Sequence, residues 1–436
     1  MALSDDQVKQ IASNLFLMQP AANTKLTKPV NSVVGSLAAK LDPIAKEAPF
    51  VGWGIGVADF TASASGPSIW LNDKAKSDRP WRMGSTGKIA ILLAAAQLRD
   101  DVQAVQDTKL LSKPEDYDEL FASARLWKLA TDPKARSIAG KDRAPRISTI
   151  FDFSKTPVDF TGSAPGTADF STILERLALS VGKPKNKAHL SWPFAIDYDF
   201  SERLWLTGAM SDNIAATCCI SEIGVDYLRA VQRAYGLFDP SNGMHLFLNG
   251  GYKELDTKAL VSNNSTATYR RLQDAEKQSV TDALFSGATR DFTDDQSSQP
   301  GSAAALLAYM IGLVRNDLVG LRHGFAFGQV GCDAIRTYLS HGAPDTQSFI
   351  ARGAALEAEV TLQITKIGLL GREDGEPGPL NCEFAYLETK QRDASAKVMK
   401  YGVVVTGIRA TDRAGPNAAT LTRTLGSEIH RALAGP

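Results

Sequence analysis

Trp81-Arg-Met-Gly-Ser-Thr-Gly-Lys88, running straight into Ile89-Ala-Ile-Leu-Leu-Ala-Ala-Ala96, is the stretch that decides how this chain folds. A polar, glycine-bearing segment meets an unbroken apolar run, which predicts a buried helix starting at Ser85. Ser85 then sits at a helix N-terminus, where unpaired N–H groups and the helix dipole favour a developing negative charge. Lys88 follows one turn later on the same face. A lysine drawn into a buried helix start can lose its proton and act as a base. Ser-x-x-Lys alone is a weak signal. The chain holds a second copy, Ser180 to Lys183, but Pro184 follows it and no apolar helix does.

Further along, Ser211-Asp212-Asn213 precedes another apolar run, Ile214-Ala-Ala-Thr217. The tripeptide is a good N-cap cluster, and it can equally place a hydroxyl and an amide on the rim of a cleft. Lys366-Ile367-Gly368 closes the β-rich run from Thr361. The lysine there is either a solvated edge charge or part of a site, and the glycine permits close backbone approach.

Between these points the pattern alternates clearly enough to suggest an architecture. Ser4 and Gln7 form a predicted capping box for an N-terminal helix with Val8, Ile11, Leu15 and Phe16 on one face. A second helix is expected over Val30 to Ala48. Val51-Gly-Trp-Gly-Ile-Gly-Val57 then reads as a strand with one bare face, close enough for a helix to pack on it. A second strand is expected at Ser68 to Asn72, and helices at Asp212 to Ile223 and Ser302 to Arg315. Three β-rich runs follow, Val360 to Ile367, Cys382 to Thr389 and Met399 to Ile408. The last helix carries Leu421, Leu425, Ile429 and Leu433 as an apolar stripe.

Strands at both ends with helices between predict an α/β chain of the α+β kind. Its antiparallel sheet would be completed by both termini and flanked by terminal helices, with an all-helical lobe inserted. The expected division is 1–98 plus 356–436 for the sheet lobe and 99–355 for the helical lobe. A cap insertion is expected around 110–204, where Pro, Gly, Ser and charge mix with isolated aromatics.

Composition excludes several classes. The 48 Lys+Arg balance 48 Asp+Glu, so there is no global field to attract nucleic acid or an anionic membrane. The apolar runs fall short of the roughly 20 residues of a membrane span. The N-terminus lacks the basic start and apolar core of a signal peptide. The chain as written is expected in the cytoplasm, or in the periplasm or outside the cell had an export signal been removed. Cys218, Cys219, Cys332 and Cys382 form no C-x-x-C pair, and the five histidines have no ligand spacing. Buried thiols are expected, with no metal and no cofactor. The oligomeric state is left open.

Ser85-x-x-Lys88, Ser211-Asp212-Asn213 and Lys366-Ile367-Gly368, in that order on a helix start, a lobe turn and a late strand, resemble the signature of class A β-lactamases and penicillin-binding proteins. The resemblance covers about half the chain. It implies that Ser85 attacks a carbonyl with Lys88 as base or proton relay. It implies that Ser211 passes a proton to the leaving group, that Asn213 holds substrate and Lys88, and that Lys366 adds positive charge. The N–H groups of Ser85 and Leu369 would form the oxyanion hole.

Three departures stand out. Ile367 occupies the position where the family has Thr or Ser, so the hydroxyl that grips a β-lactam carboxylate is missing. The intervals between the motifs are long for the family. In Asp239-Pro-Ser-Asn-Gly-Met-His-Leu-Phe-Leu-Asn249, which corresponds to the family's E-x-x-L-N loop, His245 stands at the glutamate position. His245 is therefore a candidate deacylation base or a polar loop residue.

The expected function is serine acyl hydrolysis through an acyl-enzyme, on a small-molecule or peptide-like amide, ester or β-lactam. The alternatives are a D-alanyl-D-alanine-type peptidase or esterase on the same fold, or a non-catalytic penicillin-binding-like protein.

Overall fold

The computed structural model describes residues 3–18, 26–32, 36–61, 66–140, 143–162, 199–248, 300–318, 325–340, 348–371, 377–392, 397–408 and 417–435. The second Ser-x-x-Lys copy, Asn249 and much of the 110–204 stretch lie outside them.

The fold is α+β, as the alternation of strands and helices predicts. Five antiparallel strands, β1 (Gly54–Asp59), β2 (Ser68–Leu71), β6 (Glu359–Gly371), β7 (Pro377–Lys390) and β8 (Val398–Thr406), form one sheet in the order β2-β1-β8-β7-β6. The first two come from the N-terminal quarter and the others from the C-terminal part, so both ends of the chain build one sheet. Strand β6 is an edge strand.

Side chains alternate across the sheet with the two-residue strand period. Ile55, Val57, Ala385, Leu387, Tyr401, Val403 and Val405 enter an outer core with helices α2 (Ser36–Ala45), α10 (Phe349–Glu357) and α11 (Ala418–Ala434). Leu421, Leu425, Ile429 and Leu433 are the buried stripe of α11. Cys382, Phe384, Tyr386, Val404 and Ile364 face the other way, into a larger core shared with the helical elements. The bare face of β1 admits a helix: a Cβ on Gly56 would lie 3.1 Å from Leu307 of α8 (Ala303–Val314). Across the same face, Tyr309 and Phe384 meet edge to face at 5.9 Å between ring centroids.

Helix α3 (Ile89–Asp107) runs through the inner core with its first eight residues, Ile89 to Ala96, all buried. Against it pack α5 (Phe200–Gly208), α6 (Asn213–Ile223), α7 (Val225–Ala234) and α9 (Phe325–Ser340), while α4 (Pro114–Ala122) and α8 share the same core and Tyr309 of α8 donates to the Ile89 carbonyl at 3.0 Å. Two-residue strands β3 (Trp81–Arg82) and β5 (Pro300–Gly301) pair beside the entry to α3, and β4 (Met244–His245) lies next to them.

Several elements differ from the sequence expectation, each for a local reason. Helix α1 (Asp5–Ala12) carries the predicted Ser4–Gln7 capping box but ends before Leu15 and Phe16. Those two are buried in the following turns, against the helical core rather than the sheet. The second helix forms only over Ser36–Ala45. Val30 is 76% exposed, and the chain beside it stays extended because it pairs with β2. Asn31 Oδ1 accepts from the Leu71 amide at 2.6 Å, and Ser32 Oγ accepts from the Ile69 amide at 2.7 Å. Residues 31 and 32 thus cover the far edge of the sheet. Strand β1 starts at Gly54, since the Trp53 amide turns back to the Phe50 carbonyl at 3.0 Å.

Candidate active site

The segment Gly84–Lys88 is a 3-10 turn, and the α-helix proper begins only at Ile89. This sharpens the expected geometry, because residues three apart eclipse one another in a 3-10 turn. Ser85 and Lys88 therefore share one face. Gly84 enters the turn with φ +52, a left-handed conformation that glycine adopts readily. Ser85 is partly exposed, whereas Thr86, Gly87 and Lys88 are buried. Thr86 fastens the turn to the sheet, its Oγ1 donating to the Lys366 carbonyl at 3.4 Å. Behind it, Cys382 is buried and its thiol is pushed up to about 12.

Lys88 is 0% exposed. Its Nζ donates to the Ser211 carbonyl, to Asn213 Oδ1 at 2.7 Å and to Ser211 Oγ at 3.4 Å. Burial lowers its pKa to about 7, against a partial opposing pull from Asp212. A neutral amine is thereby populated at ordinary pH, one turn from a serine hydroxyl.

The Ser-Asp-Asn tripeptide divides its labour. Asp212 is the helix cap, its Oδ1 accepting from the Ala215 amide at 2.8 Å. Ser211, released from capping, takes φ +60 and turns its carbonyl and hydroxyl to Lys88. A non-glycine residue in that region costs about 1–2 kcal/mol, and such strain collects at functional sites. Capping and cleft lining, which the sequence leaves as alternatives, are both realised here by different residues.

Lys366 points from β6 into the inner core, on the same face as Ile364 and Gly368, and is 1% exposed. Its Nζ donates to the Gly208 carbonyl at 2.7 Å. Burial first, then the neighbouring Lys88 charge, hold its pKa well below the usual lysine range. Gly368 lies against the Met83 carbonyl, and Gly84 lies against the backbone of Leu369. The end of β6 and the 3-10 turn therefore meet backbone to backbone. Ile367 alternates to the outer face, where it and Leu369 pack at the border of the outer core.

The structure thus brings Ser85, Lys88, Ser211, Asn213, Lys366, Gly368 and Leu369 to one place. It does not join His245 to that network. His245 is buried in β4, its amide donating to Ser302 Oγ at 3.2 Å and its carbonyl accepting from the Ser302 amide at 2.7 Å. Burial pushes its pKa down to about 4, and Nδ1 has no hydrogen-bond partner among the described residues. Thr86, Asp212 and Gly84 are site-building residues that motif reading passes over. Gly84 carried a signal, since a glycine directly before the serine marks a sharp turn.

No family model matches the chain, and no curated protein sequence matches it. Solved structures to which the chain is similar include a variant of the TLA-1 extended-spectrum β-lactamase, at 12% identity and TM-score 0.42, covering 92% of this chain and 98% of that one. A class A β-lactamase from Bacteroides cellulosilyticus matches at 10% identity and TM-score 0.41, covering 91% and 97%. A PBP-A variant, in an acyl-enzyme complex with penicillin G, matches at 12% identity and TM-score 0.41, covering 93% and 99%. Likeness of this depth assigns no activity to the chain. Among the described residues no helix is long and apolar enough to cross a membrane.

Proposed function

We propose that the protein is a serine hydrolase acting through an acyl-enzyme on an amide, ester or β-lactam, with Ser85 as nucleophile. The observation that carries this reading is the buried Lys88 amine, held by Ser211 and Asn213 and one 3-10 turn from Ser85. Ser85 Oγ bonds to the substrate carbonyl carbon while its proton passes to neutral Lys88. Collapse of the tetrahedral adduct breaks the bond to the leaving group, which receives that proton through Ser211. Water then attacks the acyl carbon, releasing the acid and restoring the Ser85 hydroxyl, with Lys88 again the base. His245, tied to Ser302, is the weaker candidate for that step.

The amides of Ser85 and Leu369 are the candidate oxyanion donors, supported by the approach of Leu369 to Gly84. A donor of this kind is worth about 3 kcal/mol of barrier lowering. Lys366 positions the segment below Ser211 through the Gly208 carbonyl. With lobe boundaries at residues 98 and 356, Ser85 and Lys366 belong to one lobe and Ser211 to the other, so substrate would enter between them.

The test is intact mass over time with p-nitrophenyl butyrate and with benzylpenicillin, beside the Ser85→Ala variant. A butyryl or penicilloyl gain that requires Ser85 is expected with at least one of them. Absence of both a Ser85-dependent mass gain and Ser85-dependent product release with both substrates would overturn the reading.

A further inference from the structure

Helix α5 ends at Gly208, and its last turn is the common footing of two residues of the site. The Gly208 carbonyl, one of those a helix end leaves without an intrahelical partner, accepts from Lys366 Nζ at 2.7 Å. Ser211 follows in the turn, which is tied back to the helix. The Ala209 amide donates to the Trp205 carbonyl at 2.8 Å, and the Asp212 amide to the Leu206 carbonyl at 2.9 Å. A displacement of Gly208 therefore moves Lys366 and Ser211 together.

Gly208 is held by the last turn of α9, a helix that packs on β6, α3 and α5 alike. A Cβ at position 208 would lie 2.5 Å from the Tyr338 carbonyl oxygen and 3.1 Å from the Tyr338 Cβ. The backbone of Gly208 is helical, so glycine is required here for space. The Tyr338 side chain reaches the same helix again nearer its start, where Oη and Ser201 Oγ share a hydrogen bond of 3.1 Å between two buried residues. Ser201 and Gly208 lie at i and i+7, on one face of α5, so Tyr338 meets that face at both ends. Helix α9 is itself fixed by bonds that do not involve α5. Arg336 donates to the Leu313 carbonyl at 2.5 Å and to Asn316 Oδ1 at 2.7 Å, and the Cys332 thiol donates to the Leu318 carbonyl at 2.9 Å.

Resting on the acyl-enzyme reading above, we infer that Tyr338 is a positioning residue of the proton relay: it fixes the last turn of α5, and with it the placing of Lys366 and Ser211 against the leaving group. Tyr338 acts through Gly208 and not on the substrate. The consequence is selective. A leaving group that departs as a stable anion needs no proton from Ser211, whereas a more basic one does, so a misplaced relay slows the second more than the first.

The experiment compares acylation of Ser85 by p-nitrophenyl butyrate and by phenyl butyrate, read as release of the phenol and as butyryl labelling of Ser85 in the intact mass. In both, Ser85 Oγ bonds to the acyl carbon and the bond from that carbon to the aryl oxygen breaks. The p-nitrophenolate departs as the anion and the serine proton passes from Lys88 to solvent, whereas phenolate takes that proton through Ser211. Tyr338→Phe and Ser201→Ala are each expected to lower the ratio of phenyl to p-nitrophenyl rate about threefold, a small displacement of the relay. The double variant is expected to lower it no further, because each change removes the same bond. Gly208→Ala, which drives the two helices apart, is expected to lower the ratio about tenfold or more, part of the roughly 10²–10⁴ that a placed proton donor supplies. Should Gly208→Ala fail to fold, the hydroxyl pair still decides. Equal slowing of both esters, or an unaltered ratio, in folded Tyr338→Phe would overturn the inference and leave Ser85 as the nucleophile. Absence of Ser85-dependent labelling and release with both esters in the wild type would overturn it together with the acyl-enzyme reading.

Discussion

Gly368 of β6 sits so close to the Met83 carbonyl oxygen that a Cβ at position 368 would fall well inside van der Waals contact. The residue before the 3-10 turn and the end of the edge strand are therefore joined with no side chain between them. That contact fixes how far Ser85 stands from the strand and from the Leu369 amide.

Gly368→Ala is accordingly expected to force the turn and strand apart. The atom met is backbone and cannot swing aside, so a stability loss of about 1–3 kcal/mol is expected. A shift of about 1 Å at the nucleophile is enough for a roughly hundredfold fall in acylation rate. Denaturant unfolding and Ser85 labelling read the two effects separately.

Lys88 makes acylation pH-dependent. Its folded pKa of about 7 lies below its ordinary value, because burial disfavours the charged form. The free-base fraction thus rises through pH 7, and labelling of Ser85 is expected to increase between pH 6 and 8 and level off above. Lys88→Arg keeps a charge that does not titrate in this range and is expected to lose about 10²–10⁴ in rate. For stability the sign runs the same way. The folded state binds fewer protons than the unfolded one between pH 7 and about 10, so Lys88 favours folding more as pH rises across that window. Thermal unfolding of Lys88→Met is therefore expected to lose that pH dependence.

Glu383 works in the opposite sense. Burial raises its pKa to about 7, only partly countered by Ser348 and the amides at the start of α10. The folded state then holds a proton that the unfolded state releases near pH 4–5, so this group's contribution to stability is lost as pH rises from about 4.5 through 7. Glu383→Gln is expected to flatten the fall in melting temperature between pH 5 and 8. A variant that falls as steeply as the wild type would count against it.

Asp101 is the anchor of the N-terminal segment. Its buried carboxylate accepts from the Phe16 amide at 2.8 Å, from Tyr227 Oη at 2.7 Å and from Gln97 Nε2 at 3.3 Å. Phe16 in turn stacks on Tyr235 at 4.6 Å between ring centroids. Asp101→Ala takes this acceptor from the Phe16 amide and the Tyr227 hydroxyl, while Gln97 Nε2 keeps Asp100 Oδ2 at 3.4 Å, and is expected to cost about 2–4 kcal/mol. Faster proteolytic cleavage near residue 16 than near the sheet would show that the loss is local.

Much of this arrangement is legible before folding is considered. The Ser4–Gln7 capping box, the β-rich run from Cys382 to Thr389 and the stripe of Leu421, Leu425, Ile429 and Leu433 are local patterns, and local geometry alone gives them meaning. Ser85 and Lys88 belong with these, because three residues of helix already put them on one face.

Other features depended on parts of the chain far apart in sequence. Residues 31 and 32 are extended because β2 offers an unpaired edge, which no helix propensity could foresee. The sequence left Ser211 between capping and catalysis. It was Lys88, arriving from another element, that drew Ser211 into the left-handed conformation and left the cap to Asp212. The lowered pKa of Lys88 and the close approach of Gly368 to Met83 likewise exist only once the sheet and the helical core exclude water between them. Periodicity and motif order specified the elements and the candidate residues. Burial and long-range pairing, which sequence distance hides, determined which of those residues meet and in what charge state.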